Sequence, residues 1–210
     1  MKKILILFAV SVAASFAPQF SLYSQSAPDV ETIVIIRHGE KTQTELGQLN
    51  VMGLNRALAL PDVLTGKFGK PDFIFAPDPS EQVGRKGRKV SYVRPLATIE
   101  PTAVKLGMSV NAQFGYTQIV KLQSELLKPE YSRAVVFIAW EHAEADRLAK
   151  NIVESCGGKR ETVPDWPGKD FDSIFVIRIS RSEGRMTAAF SVEKENLDGK
   201  LSNTFPSPGK

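Results

Sequence analysis

Ile33–Ile36 (Ile-Val-Ile-Ile) is an unbroken β-branched run that stops abruptly at Arg37-His38-Gly39-Glu40. Such a run suits a strand buried on both faces. A cation, an imidazole and a glycine are unusual at the end of one. In open α/β sheets, ligands bind just beyond the carboxyl ends of the strands. Arg37 and His38 fall at that position, and Gly39 lets the backbone turn sharply or approach a ligand closely. Ala134–Trp140 is a second buried-strand run, and it ends in Glu141-His142. His38 and His142 are the chain's two histidines. If the two strands are parallel neighbours, both imidazoles project at one sheet edge and form a shared site. The competing reading is two structural histidines.

The rest of the chain alternates between helical and strand patterns. Leu49–Phe68 is helical, with Leu54, Leu58, Leu60, Val63 and Leu64 on one apolar face; Pro61 is expected to kink or divide it. Asp72–Ala76 and Val110–Phe114 read as short strands. Tyr92–Leu106, Thr117–Leu127 and Ala143–Ser155 read as helices, the last closed by Gly157-Gly158. Phe171–Ser180 and Met186–Lys194 read as a hairpin joined by Arg181–Arg185. The alternation predicts an α/β fold: a three-layer α/β/α sandwich with a mostly parallel central sheet and a C-terminal antiparallel hairpin. It forms one domain over residues 27–196, followed by a polar tail over 197–210. Trp140 and Trp166 are expected at the sheet edge or in a pocket wall.

The N-terminus departs from this pattern. Lys2-Lys3 precedes an apolar run, Ile4–Ala17, and then a polar, small-residue stretch to Ala27. This is the layout of a secretory signal peptide over residues 1–26. The run is short for a membrane span, so no stable membrane insertion is expected after cleavage; the alternative is an uncleaved anchor. A cut after Ser26 leaves 25 of the 27 Lys and Arg against 23 Asp and Glu, a formal charge of +2. That near-neutral balance gives no reason to expect nucleic acid as a partner. Cys156 is the one cysteine, so no intrachain disulfide forms. It reads as a small buried or helix-end residue. The expected localisation is periplasmic or extracellular in a bacterial envelope.

Arg37-His38-Gly39 at the end of the first strand resembles the histidine phosphatase superfamily, the phosphoglycerate mutase-like and acid phosphatase group. Leu49, Gly53 and Ala57 resemble that superfamily's first helix. Ser91, Arg94 and Thr98 match its serine, arginine three residues on and threonine four after that. His142 completes a four-part match spanning about Ile33 to Asn151. The short single-domain layout is closer to the mutase-like branch.

The resemblance implies a metal-independent phosphomonoester hydrolase that needs no cofactor. Arg37 and Arg94 would fork onto the phosphoryl oxygens. His38 would attack phosphorus and carry it as phosphohistidine, and His142 would stabilise the transition state. Two histidines without an acidic cluster also make a poor metal site. The leaving group needs an acid; Glu141 is the first candidate and Glu100 the second. Glu141 could instead be a structural carboxylate. The acid phosphatase branch carries an aspartate directly after its second histidine, where this chain has Ala143. Gly39, Glu40, Thr98 and Glu100 are the expected substrate-binding positions, with Glu40 also a candidate for orienting the loop.

Gly84-Arg-Lys-Gly-Arg-Lys89 holds four cations in six residues. It reads either as a solvated flexible loop or as a cationic flap that draws anionic substrates toward Arg94. Two other functions compete with hydrolysis. One is a non-catalytic phosphate-binding sensor or scaffold of the same fold. The other is an envelope protein that uses the basic loop over 84–89 to bind anionic polymer. A serine hydrolase is not supported, since the chain has no Gly-x-Ser-x-Gly turn. The expected partner is a small phosphorylated substrate, whose identity and the oligomeric state stay open.

Overall fold

The structure, a computed structural model, describes residues 29–44, 46–84 and 89–207. The expected leader over 1–26, most of the basic loop (85–88) and the last three tail residues lie outside the described residues.

At the centre is β1 (Asp29–Arg37), whose last five residues are all buried. One edge pairs in parallel with β5 (Val135–Trp140), aligning Ile33 with Val136 and Arg37 with Trp140. The other edge pairs antiparallel with β6 (Ser173–Ser182), and β6 pairs antiparallel with β7 (Arg185–Lys194). Short β2 (Phe73–Phe75) lies parallel on the far side of β5. The order is β2-β5-β1-β6-β7. Four of the five strands therefore point the same way, with β6 reversed. Because β1 has neighbours on both edges and helices on both faces, its sequence shows a continuous apolar run rather than alternation.

Successive β1 side chains still go to opposite cores. Ile33 and Ile35 pack with Val136, Ile138 and Phe175. On that face lie α3 (Ile119–Leu126) and α4 (His142–Ser155), through Leu122, Leu126, Leu148 and Ile152. Val34 and Ile36 pack on the other face with Phe137 and Val176. There α1 (Val51–Phe68) and α2 (Arg94–Leu106) contribute Leu60, Leu64, Ile99 and Ala103. This is the expected three-layer sandwich.

Several local expectations are corrected. Val110–Phe114 is not a strand. Only Asn111 bridges to β2, exchanging backbone bonds with Ile74 and Ala76; β2 is three residues long and Pro77 follows it, so there is no edge to extend along. Pro61 does not divide α1, which runs through it. The 80–91 segment is not all loop: β3 (Gln82–Val83) pairs with β4 (Val90–Ser91) across the basic stretch. Trp140 and Trp166 are core residues, at 0% and 4% exposure, rather than pocket walls. The C-terminal hairpin turns in two residues, Glu183 and Gly184, both at positive φ. Cys156 is buried and caps α4. No helix among the described residues is long and apolar enough to cross a membrane.

Candidate active site

β1 and β5 end side by side, so Arg37 and Glu141 leave the sheet as neighbours. His38 N–H continues the ladder by donating to Trp140 O at 3.0 Å. The chain then turns into α1, whose start packs directly behind the turn. Asn50 N–H donates to Glu40 O at 2.9 Å, and the Asn50 carboxamide oxygen accepts from Gly53 N–H to cap the helix. A Cβ on Gly53 would lie 2.3 Å from Glu40 O, and one on Gly39 would lie 2.9 Å from Gly53 O. Both glycines are required by this close approach. What approaches Gly39 is α1, not a ligand.

The His38 side chain is 2% exposed. Its Nδ1 lies 2.8 Å from Gly39 O. A carbonyl oxygen can only accept, so Nδ1 carries the proton and Nε2 keeps its lone pair. Burial disfavours the imidazolium, against a raising contribution from the Gly39 bond; Arg94 and Arg37 add repulsion, and the pKa falls to about 3. His38 is thus a neutral base with its reactive nitrogen defined. Its ring packs near Tyr92 and Phe171, at centroid distances of 6.2 and 6.3 Å.

Arg37 is 3% exposed. Nη1 donates to Gly168 O (2.8 Å) and Asp170 O (3.1 Å), and the guanidinium carbon sits 3.9 Å from the Phe171 ring centroid. Arg94 opens α2 and is 8% exposed. The Nε atoms of both arginines are buried without a hydrogen-bond partner, and among the described residues neither guanidinium has an ion pair. Two buried cations therefore flank His38 with donors to spare.

Thr98 sits behind this pair. Its hydroxyl donates to Arg94 O at 2.8 Å and accepts from Gly39 N–H at 2.9 Å. Both capacities are spent and the residue is fully buried. Thr98 and Gly39 therefore tie the His38 turn to the first turn of α2. The serine-arginine-threonine spacing joins two parts of one site.

His142 is the first residue of α4 and is half-buried. Glu141 Oε1 lies against its Nδ1, which turns Nε2 outward; a Cβ on Gly168 would sit 3.7 Å from that nitrogen. The other Glu141 oxygen accepts the N–H groups of Ala143 (2.8 Å) and Glu144 (3.1 Å) as the N-cap of α4. Burial raises the Glu141 pKa, but His142 and the two N–H groups outweigh it and bring it to about 2. Glu141 is thus a carboxylate that caps the helix and lies against His142, an arrangement that favours its ionised form.

The other acidic candidates are also corrected. Glu100 is exposed on α2. Six residues along a helix put it about 9 Å from Arg94 and well off that residue's face. Glu40 is engaged by Arg56, whose Nη2 donates to it at 2.7 Å and whose Nε donates at 3.1 Å. Arg56 also contacts Glu195, Asp198 at 2.6 Å and Asp172 at 3.7 Å. Glu40 orients the loop as part of this buried cluster. Among the described residues, no three His, Cys, Asp or Glu are grouped so as to hold a metal ion.

Sequence reasoning missed Tyr92, Gly168, Asp170, Phe171 and Arg56. The Gly168–Phe171 strap meets Arg37 across more than 130 residues, and no local spacing signals that. Arg56 looks like an ordinary helix cation until its four carboxylates are seen together.

No family model and no curated protein matches the sequence. Solved structures do match in fold. A SixA protein from Nakamurella multipartitia, assigned as a phosphohistidine phosphatase, superposes with a TM-score of 0.50 at 14% identity, covering 78% of this chain and 95% of that one. A mycobacterial glucosyl-3-phosphoglycerate phosphatase, solved with inorganic phosphate, superposes with a TM-score of 0.52 at 13% identity, covering 77% and 95%. The sandwich that carries Arg37-His38-Gly39 in this chain therefore has the histidine phosphatase fold.

Proposed function

We propose that the protein is an exported, metal-independent phosphomonoester hydrolase acting through a phosphohistidine on His38. The observation that carries this is a buried neutral imidazole, with Nδ1 committed as a donor, held between two buried guanidiniums with unspent N–H groups. That arrangement suits a tetrahedral dianion, and both neighbours in fold bear names of phosphatases. Arg37 and Arg94 hold the phosphoryl oxygens. His38 Nε2 attacks phosphorus; the N–P bond forms as the P–O ester bond breaks. His142, when protonated, donates from Nε2 to a nonbridging oxygen. Water then attacks phosphorus, gives up a proton, and His38 leaves with its lone pair restored.

Glu141 is ionised, so the leaving alkoxide takes its proton from water. This favours substrates whose leaving groups depart readily. Export rests on the leader over 1–26, and N-terminal sequencing of the protein from an envelope fraction tests the cut before Ala27.

The deciding experiment is hydrolysis of an aryl phosphate by the chain from Ala27, at pH 4 to 8 with chelator present, beside His38→Ala. Turnover that survives chelation and falls at least about 1,000-fold in the variant is the expected result. Phosphate binding without turnover at any pH would instead identify a phosphate-binding protein on an enzyme's fold.

A further inference from the structure

We propose that the Tyr92 hydroxyl is a further catalytic group, donating a hydrogen bond to a phosphoryl oxygen of the bound substrate. The proposal rests on the phosphatase reading of the same site. Tyr92 directly follows β4, and its N–H is tied to Glu81 O at 2.9 Å. Its side chain is 1% exposed. The ring meets His38 edge-on, with 85° between the planes, and the Arg94 guanidinium carbon lies 4.8 Å from its centroid. Tyr116 packs behind it at 5.1 Å.

The hydroxyl is buried, and no described residue meets hydrogen-bond geometry with it; the Arg94 guanidinium lies near enough to act on its oxygen as a donor, which leaves the O–H proton without an acceptor. An orphaned buried hydroxyl costs about 1–3 kcal/mol. Phenylalanine would fill the same space without that cost, so packing alone does not account for tyrosine. The charged groups that act on the hydroxyl are Arg94, Glu141 and Arg37, all members of the site. The ring packs against both His38 and the Arg94 guanidinium, so the hydroxyl belongs to the same site. Burial raises its pKa well above the ordinary tyrosine value. It stays an O–H, a neutral donor facing a region built for oxygen acceptors. The same property makes it a poor proton source for a leaving group. Its contribution is to hold the phosphoryl oxygens as charge moves among them.

Tyr92→Phe keeps the ring against His38 and removes only the donor. Two readings are taken on the chain from Ala27: the Kd for inorganic phosphate by calorimetry, and kcat/KM for aryl phosphates spanning a range of leaving-group pKa. The expected result is a kcat/KM loss of about 10- to 100-fold, equal across the series, with weaker phosphate binding and an unchanged or higher melting temperature. Unchanged kcat/KM and Kd in the variant, beside an active wild type, would overturn the role of Tyr92 and leave the phosphatase reading intact. A loss that grows with leaving-group pKa would overturn it in favour of proton donation. If the wild type binds phosphate without turnover, an unchanged Kd in the variant overturns the proposal and a weakened Kd supports it. A wild type that neither binds phosphate nor turns over would overturn both readings.

Discussion

The lone pair on His38 Nε2 is defined by one carbonyl. Gly39 O fixes the proton on the far side of the ring, and burial with Arg94 and Arg37 keeps a second proton away. Glu141 does the same kind of work for His142 and is itself pinned by two helix N–H groups. Glu141→Gln keeps an oxygen for the cap but removes the charge beside Nδ1. We expect kcat to fall about tenfold, with no change in its dependence on leaving-group pKa; a leaving-group series checks this. If the loss grows steeply for poor leaving groups, Glu141 is the acid after all. Arg37, His38, Arg94 and His142 were legible as candidates because each ends or follows a buried run or opens a helix. Their neighbours were not. A glutamate beside a histidine shows its type, and only the structure shows that its proton is lost and its oxygens are taken. Thr98 was found by its spacing, but its bonds to Gly39 N–H and Arg94 O were not legible, because spacing locates a hydroxyl without saying which groups meet it.

At the scale of elements, Arg56 on α1 joins the nucleophile turn to the end of the chain. Glu40 lies two residues after His38, while Glu195 and Asp198 follow β7. Asp172 also holds this end: its carbonyl accepts from Glu195 N–H at 2.7 Å and its carboxylate accepts from Leu197 N–H at 2.7 Å. Arg56→Leu leaves Glu40, Asp172 and Asp198 without their cation and buried Glu195 without its hydrogen-bond donor. We expect a loss of about 3–5 kcal/mol in unfolding free energy, measured by urea denaturation, accompanied by loss of activity. A shift below 1 kcal/mol would remove the cluster from the list of what holds the turn. The major strands and helices were legible from apolar runs and helical periodicity. Val110–Phe114 failed because its apolar pattern lacked a partner edge, and β3 and β4 were hidden because a two-residue ladder carries no period.

For the whole molecule, four groups carry the largest pH dependence of stability: buried Glu31, His38 and Glu195, and half-buried Glu141. Glu31 is raised by burial, against Arg181, to about 7, and Glu195 by burial, against Arg56, to about 8. Folding favours their protonated forms, so their contribution is complete below the unfolded value of about 4.5 and is lost as pH rises toward 7 and 8. Glu141, lowered to about 2, contributes above about 4.5 and loses that as pH falls. Neutral His38, lowered to about 3, adds stability as pH rises from 3 to 6.5, which offsets one of the two raised glutamates. The net expectation is a melting temperature that is highest near about pH 4.5 to 5 and declines toward pH 8. Calorimetric scans across that range check it, and a maximum at or above pH 7 would contradict it.

The Arg56 cluster also has a consequence for the order in which the chain becomes competent. Synthesis runs from the N-terminus, so His38 emerges early, while the carboxylates that complete the cluster behind its turn come within the last sixteen residues. A nascent chain thus carries all of its reacting groups long before their platform is closed. A single proteolytic nick after Lys194 would spare Arg37, His38, Arg94 and His142 and still cut Glu195 and Asp198 from the chain that presents them to Arg56.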